Sequence, residues 1–313
     1  VEVKAYVKAA AMAVRGVKAV IPIPHGMSVV ADSTWHGQKG LEALNVQFLG
    51  EENAGLDQEG LGRRFQDSLD DMGKNKLSGE KVLDLEYEIQ FLSHAALENM
   101  NCTALVSDNY CEVWGPFQFQ TSALNKIKEV TGLSEDQIKV HTTYVGGGFG
   151  GRFRLWGEDF VEQAVILSKE LGKPVQVMWS REEDMQHDFY HPASQSRFQI
   201  SLGDDGAPLR WDNQYAASSQ MAQDYKFLKW MDINLISYFS TAHSDFLIPK
   251  IFPTVMGYDW DIKPHYDIKG VDFKSSIVEV DIPLGFWRGW MFQNTFFLES
   301  AIDLSLIQIS EHT

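Results

Sequence analysis

Residues 145–153 read VGGGFGGRF, five glycines around one phenylalanine. Glycine forgoes side-chain packing and loses the most backbone entropy on folding, so such a run needs a physical reason. Two are common: a tight turn, and a backbone that must come within contact distance of a ligand. The flanking residues frame the run. KVHTTYV (139–145) predicts a strand entering it, and EDFVEQAVILSKELG (158–172) predicts a helix beyond it, closed by Gly172 and Pro174. PVQVMWS (174–180) predicts the next strand.

Further out, strands dominate from Lys81 onward. VLDLEYEI (82–89) alternates apolar and polar residues, as a half-buried strand does, and TALVSD with YCEVWG predicts a hairpin around Asp108-Asn109. TSALNKIKEVTGL (121–133) predicts a helix with Thr121 or Ser122 as N-cap and Gly132 at its end. SRFQISLGDDGAPLRWDNQYAA (196–217) reads as a hairpin turning at residues 204–206. Residues 277–304 read as a strand, an aromatic-rich loop and the start of a helix. The first fifty or so residues begin with a helix-like KAYVKAAAMAV and mix short strands with the helical TWHGQKGLEAL, a small α+β unit. Residues 51–80 are polar, charged and glycine-containing, and read as a linker or solvated segment. The expected domains are therefore 1–80, including that linker, and 81–313.

The chain has 313 residues, 44% hydrophobic and 12% aromatic, enough for a sizeable core and a soft expectation of about two domains. A formal net charge of −16 disfavours binding a phosphate backbone, so nucleic acid is not an expected partner. Cys102 and Cys111 are too few to hold an iron–sulfur cluster, and their spacing fits no zinc site. No apolar run approaches the roughly 18 residues of a membrane span, and VEVKAYVKAAAMAV lacks the pattern of a secretory signal. Both ends read as cut, so a piece of something larger is expected.

Gly146, Gly148 and Gly151 also fit G-x-G-x-x-G in a strand–loop–helix–strand context, which predicts a dinucleotide site and an NAD(P)-dependent dehydrogenase. Against this, the entering strand carries His141, Thr142 and Thr143, where a central parallel strand is nearly all apolar. The acidic residue expected after the next strand is displaced by Ser180-Arg181. A structural turn with no ligand is a further reading.

Five stretches in order carry a resemblance: EYEIQFLSHAALENMNCTALV, CEVWGPFQFQ, VHTTYVGGGFGGRF, WSREEDMQHDFYHPAS and PLGFWRGW…QNTFFLESAID. Together they resemble the molybdenum hydroxylases, the xanthine dehydrogenase and aldehyde oxidase family, and within it the large subunits of the isoquinoline 1-oxidoreductase type. The resemblance implies an α+β fold, with a partial α/β-hammerhead-like domain followed by the N-terminal half of a mixed α/β molybdopterin-binding domain. It implies molybdopterin cytosine dinucleotide as cofactor, with no iron–sulfur cluster or FAD in this chain. The chemistry implied is hydroxylation of an N-heteroaromatic or aldehyde carbon with water-derived oxygen, a small-molecule reaction. Electrons would pass to a small partner subunit with two [2Fe-2S] clusters.

Residue by residue, the resemblance places Gly147, Gly148, Phe149, Gly150 and Gly151 against the cofactor, Phe149 also walling the substrate pocket. No side chain ligates the metal directly. Gln118, 31 residues before Phe149, matches the glutamine that hydrogen-bonds the apical oxo group, with Gln120 as its near neighbour. Arg288, among Phe286, Trp287, Trp290 and Phe292, matches the arginine that orients substrate, although GWMFQN after it is one residue short of the family pattern. His187 and His191 fall in a structural loop rather than a metal site. His94 and Glu98 are expected as a buried polar pair, on one face if their stretch is helical. The family's general base is a glutamate from the far C-terminal part, outside this chain, and Glu299 is not that residue. A catalytically silent fragment is the alternative to a working subunit. Periplasm and cytoplasm of a bacterium both fit.

Overall fold

The computed structural model describes residues 2–50, 55–73, 77, 81–153, 159–204, 206–218, 266–268, 270–287 and 292–310. Contacts divide the chain into two compact units, Val1–Gly55 with Ser93–Asp188, and Leu56–Leu92 with Phe189–Thr313.

The first segment opens with β1 (Glu2–Ala5) and α1 (Lys8–Met12), where the sequence predicts one helical stretch. An antiparallel hairpin follows, β2 (Val17–Ile23) and β3 (Gly26–Ala31). Helix α2 (Thr34–Leu44) begins where the Ser33 side chain accepts the His36 N–H and ends at Asn45 in the left-handed region. Strand β4 (Gln47–Leu49) pairs back on β1. Ala11, Val20 and Leu44 form the small core beneath these elements.

Residues 51–80, read as a solvated linker, contain helix α3 (Gln58–Asp71) instead. Asp57 caps it by accepting the Gly60 N–H at 2.7 Å. Leu61, Phe65 and Leu69, at i, i+4 and i+8, form its buried stripe. The charged outer face dominated the composition and hid that stripe. Strand β5 (Val82–Ile89) follows as predicted.

The hairpin around Asp108-Asn109 forms from β6 (Asn101–Ser107) and β7 (Tyr110–Gly115). Helix α4 (Gln120–Thr131) stops at left-handed Gly132, as predicted, but its N-cap is Phe119, not Thr121 or Ser122. Strand β8 (Ile138–Thr142) runs parallel to β7, and after α5 (Asp159–Leu171) strand β9 (Val175–Met178) pairs antiparallel with β6. The sheet order is β8-β7-β6-β9. Ala104, Val113, Ala123, Ile127, Phe160 and Val165 join one face of the sheet to α4 and α5. Both cysteines lie in this core, where burial pushes the Cys111 thiol up to about 11. Helix α6 (Arg181–Gln186), capped by Ser180, closes the unit.

In the second unit β5 joins β10 (Ser194–Leu202), β11 (Pro208–Ala217) and β12 (Gly270–Ile277) in the order β12-β11-β10-β5. Helix α7 (Phe292–Ser310) lays Phe297, Leu298, Ala301 and Ile302 on Phe198, Ile200, Trp211 and Tyr215. Alternation along the strands turns Ala216 and Arg197 to the other face, where α3 packs. There Arg197 donates to Glu86 at 2.8 Å and to Asp70 of α3 at 3.0 Å. Phe65→Ala is expected to destabilise this unit by about 3–5 kcal/mol, through lost burial and a residual cavity. Denaturant unfolding measures this; a solvated linker would register no loss.

Candidate functional site

Strand β8 releases the chain at Thr142, and the Thr143 N–H donates to Gly115 O at 2.9 Å. The loop that follows adopts positive φ at Gly147 (99°), Phe149 (53°) and Gly150 (104°). Glycine accepts this freely; a phenylalanine there stores about 1–3 kcal/mol of strain and persists only where its surroundings over-determine it. Gly151 N–H to Gly148 O at 2.8 Å and Phe153 N–H to Gly150 O at 2.9 Å tie the turns together. The Phe149 side chain remains 40% exposed.

The three glycines of the G-x-G-x-x-G pattern each face a side chain of the protein itself. A Cβ on Gly146 would stand 2.6 Å from Glu98 Cβ, one on Gly148 2.6 Å from Gln118 Oε1, and one on Gly151 2.7 Å from His94 Cγ. Gln118 Oε1 accepts the Gly150 N–H at 3.2 Å and the Arg152 N–H at 3.1 Å. Two backbone donors on one oxygen settle the orientation of the amide. The Gln118 Nε2 donors make no hydrogen bond among the described residues, and neither do the Gly147 and Gly148 N–H groups. Gln120 is engaged elsewhere, donating from Nε2 to Thr142 Oγ1 at 3.1 Å. Gln118, Gly147, Gly148, Phe149, Gly150 and Gly151 thus lie together in one loop cluster, with Gln118 and Phe149 exposed, Gly147 and Gly150 half-buried and Gly148 and Gly151 buried.

Polar groups support the loop from below. Arg152 is 0% exposed. Its Nε donates to Gly147 O at 2.9 Å, and its Nη2 to Glu98 O at 2.5 Å and Glu98 Oε2 at 3.4 Å. Glu98 Oε2 accepts the Gly146 N–H at 2.7 Å, and the Glu98 N–H returns a bond to Gly146 O at 3.1 Å. His94 donates its N–H to Asp188 Oδ2 at 2.6 Å, with Nδ1 2.8 Å from the same oxygen. His94 and Glu98 are therefore not a pair on a helix face: their stretch is irregular, with left-handed Ala95 at φ 45°. Asp184 accepts from Met100 N–H at 3.1 Å and from Arg181 at 3.0 Å, and burial pushes its carboxyl above the ordinary range.

Other expectations fall elsewhere. Arg288 lies outside the described residues. His187 is exposed, 3.3 Å from Glu183, whereas His191 is buried 3.1 Å from Gln293 Oε1. Among the described residues no group of three or more His, Cys, Asp or Glu side chains is placed to hold a metal. Glu299 accepts the Tyr266 O–H at 2.7 Å. The dinucleotide reading fails on topology, because β8 and β9 are not neighbours: β7 and β6 stand between them. A dinucleotide fold needs the strands flanking that loop and helix in one parallel βαβ unit. Sequence reasoning did not single out Arg152, although a charged residue directly after a glycine run was the available signal.

Gly151→Ala is expected to lower stability by about 1–3 kcal/mol, because the buried His94 ring cannot yield. Gly62→Ala, with open space around it inside α3, is expected to raise stability by about 0.5–1 kcal/mol. Thermal or denaturant unfolding reads both. For Asp184 the folded carboxyl holds its proton to a higher pH than the unfolded one. Its contribution to stability therefore falls as pH rises from about 3.9 through the raised value. Asp184→Asn is expected to remove that slope in urea midpoints taken across the mildly acidic range.

Residues 67–227 match the molybdopterin cofactor-binding domain family. Membrane-bound aldehyde dehydrogenase (pyrroloquinoline-quinone) of Gluconacetobacter polyoxogenes is 30% identical over 141 residues, 45% of this chain and 18% of that protein. Isoquinoline 1-oxidoreductase subunit beta of Brevundimonas diminuta is 24% identical over 239 residues, 68% of this chain and 30% of that one. The chain thus spans less than a third of either relative's length. The crystal structure of quinoline 2-oxidoreductase from Pseudomonas putida 86 shares the fold, with a TM-score of 0.64 at 16% identity, covering 99% of this chain and 43% of that one. The family match takes in β5 through β11, with the glycine loop, Gln118 and their supporting residues inside it, and covers more than half of the chain: it belongs to the molybdopterin cofactor-binding domain family of the molybdenum hydroxylases.

Proposed function

We propose that the chain is part of the molybdenum-bearing large subunit of a hydroxylase or aldehyde-oxidising enzyme and that its glycine loop seats molybdopterin cytosine dinucleotide. One observation carries the reading. Gln118 spends its carbonyl oxygen on the loop's own N–H groups, so its amide donors, with the Gly147 and Gly148 N–H groups, are left for an acceptor-rich ligand. Oxo and phosphate oxygens have that character, and a nest of backbone donors suits them. When bound, the group supplies carbon hydroxylation with water-derived oxygen and takes up two electrons.

The chain's own residues then have distinct tasks. Gln118 donates to the ligand. The half-exposed Phe149 gives the site an apolar wall against which a flat substrate packs. Arg288 orients a polar substrate atom, a role assigned from its sequence context alone. N-heteroaromatic compounds and aldehydes are the substrate classes, in keeping with the names of the relatives. The electrons leave to a small subunit carrying two [2Fe-2S] clusters. No helix among the described residues is long and apolar enough to cross a membrane.

Molybdenum and released cytosine nucleotide are measured in the complete protein purified from its native host. About one of each per chain is the expected result. Absence of molybdenum, with a quinone extracted instead, overturns the reading. In the same protein Gln118→Ala is expected to lower turnover by about 10²–10³-fold per folded chain, beside a loss of about 1–3 kcal/mol in stability from its two bonds to the loop. Near-normal turnover would remove Gln118 from the site.

A further inference from the structure

The open donors of the loop are aimed by two carbonyls that the protein holds on its inner side. Every peptide here is trans, so the C=O of one residue and the N–H of the next point in opposite directions across one rigid plane. Gly147 O is gripped by Arg152 Nε at 2.9 Å, which turns the Gly148 N–H away from the guanidinium. Gly146 O is gripped by the Glu98 N–H at 3.1 Å, which turns the Gly147 N–H away in the same manner. Glycine has no preference of its own to hold these planes, since both signs of φ are open to it.

Arg152 is an unusual choice for this task and a fitting one. Burying a charge completely is costly unless every donor finds a partner. The planar fork meets that condition by reaching two segments at once: Gly147 O in the loop, and Glu98 O at 2.5 Å with Asn99 O at 3.4 Å in the stretch before β6. Nη1 meets Met100 Sδ at 3.6 Å. The Arg152 N–H also donates to Gln118 Oε1, so the same residue helps to orient the glutamine amide.

We propose that Arg152, seated by Glu98, is a positioning residue that aims the Gly148 N–H and the Gln118 amide at the anionic oxygens of the cofactor. The inference rests on the molybdenum reading above and adds to it the residue that sets the donor geometry.

Arg152→Met and Arg152→Lys are compared with wild type in the complete protein from the native host, for molybdenum content, thermal midpoint and amide hydrogen exchange over residues 145–153. Arg152→Met is expected to exchange about tenfold faster in the loop alone and to hold about a tenth of the metal per folded chain. Arg152→Lys, which keeps the charge and one donor, is expected to recover part of both. A purely structural role would lower the thermal midpoint of both variants while metal per folded chain stayed at the wild-type level, and that result overturns the proposal. If neither variant folds, exchange in wild type decides. Gly147 and Gly148 amides that gain protection between cofactor-free protein, made in a host lacking the cofactor pathway, and loaded protein support it; unchanged amides refute it. Wild type without molybdenum refutes the functional reading itself, and the proposal with it.

Discussion

A backbone that turns left-handed at three of four consecutive residues, Gly147 to Gly150, cannot satisfy its own amides through helix or sheet. Something else must hold it, and here that is a set of polar side chains: Glu98, Gln118, His94 and Arg152. A hydrogen bond to a charged group contributes about 1.5–3 kcal/mol net, and a neutral one about 0.5–1.5. The left-handed phenylalanine costs about 1–3 kcal/mol. The bonds from Arg152 and Glu98 to the loop therefore outweigh the strain, and Phe149 keeps a conformation it would leave in an unsupported loop.

The sheet explains how residues so distant in sequence meet. Strands β7 and β8 are parallel, with Gly115 opposite Thr142, so the chain leaves both at the same end. Gln118 lies three residues past one exit and Gly146 four past the other. Strand β6 is antiparallel to β7, so Glu98 and His94 approach its start at that same end. Strand β9 is antiparallel to β6 and places Met178 opposite Asn101, delivering Asp184 and Asp188 there as well. Four connections thus converge at one end of the sheet, while α4 and α5 cover a face and supply the apolar burial that holds the strands in register.

Much of this was legible locally. Alternation marked β5, β6 and β7; the turn at Asp108-Asn109 marked the hairpin; and the apolar stripe with its terminal glycine marked α5. Helix α3 was missed because its mean composition is charged, although Leu61, Phe65 and Leu69 keep helical spacing. Strand order was not legible, since β8 and β9 are separated by a pairing that depends on residues far upstream. The motif residues Gln118 and Phe149 could be picked out by resemblance, but the engagement of the Gln118 carbonyl could not. Arg152 was hidden for the same reason: a charged residue after a loop reads as solvated, and only its partners at Glu98 and Gly147 make it buried.

One pattern, G-x-G-x-x-G, can therefore arise from two different physical demands. In a dinucleotide loop the missing side chains admit the ligand, and a helix N-terminus supplies the field. Here the spaces at Gly146, Gly148 and Gly151 are filled by Glu98, Gln118 and His94 of the same chain. What the loop presents outward is the opposite side of those peptide planes, together with the Phe149 ring. The two demands differ in what a methyl group does. In the first it meets the ligand and spares the fold. In the second it meets a side chain already in place and disturbs the support before any ligand arrives. The intervening glycines, Gly147 and Gly150, answer a third demand, backbone conformation, and no side chain is compatible with theirs without strain. Five glycines in six residues thus hold two kinds of position, and the motif's spacing alone does not separate them.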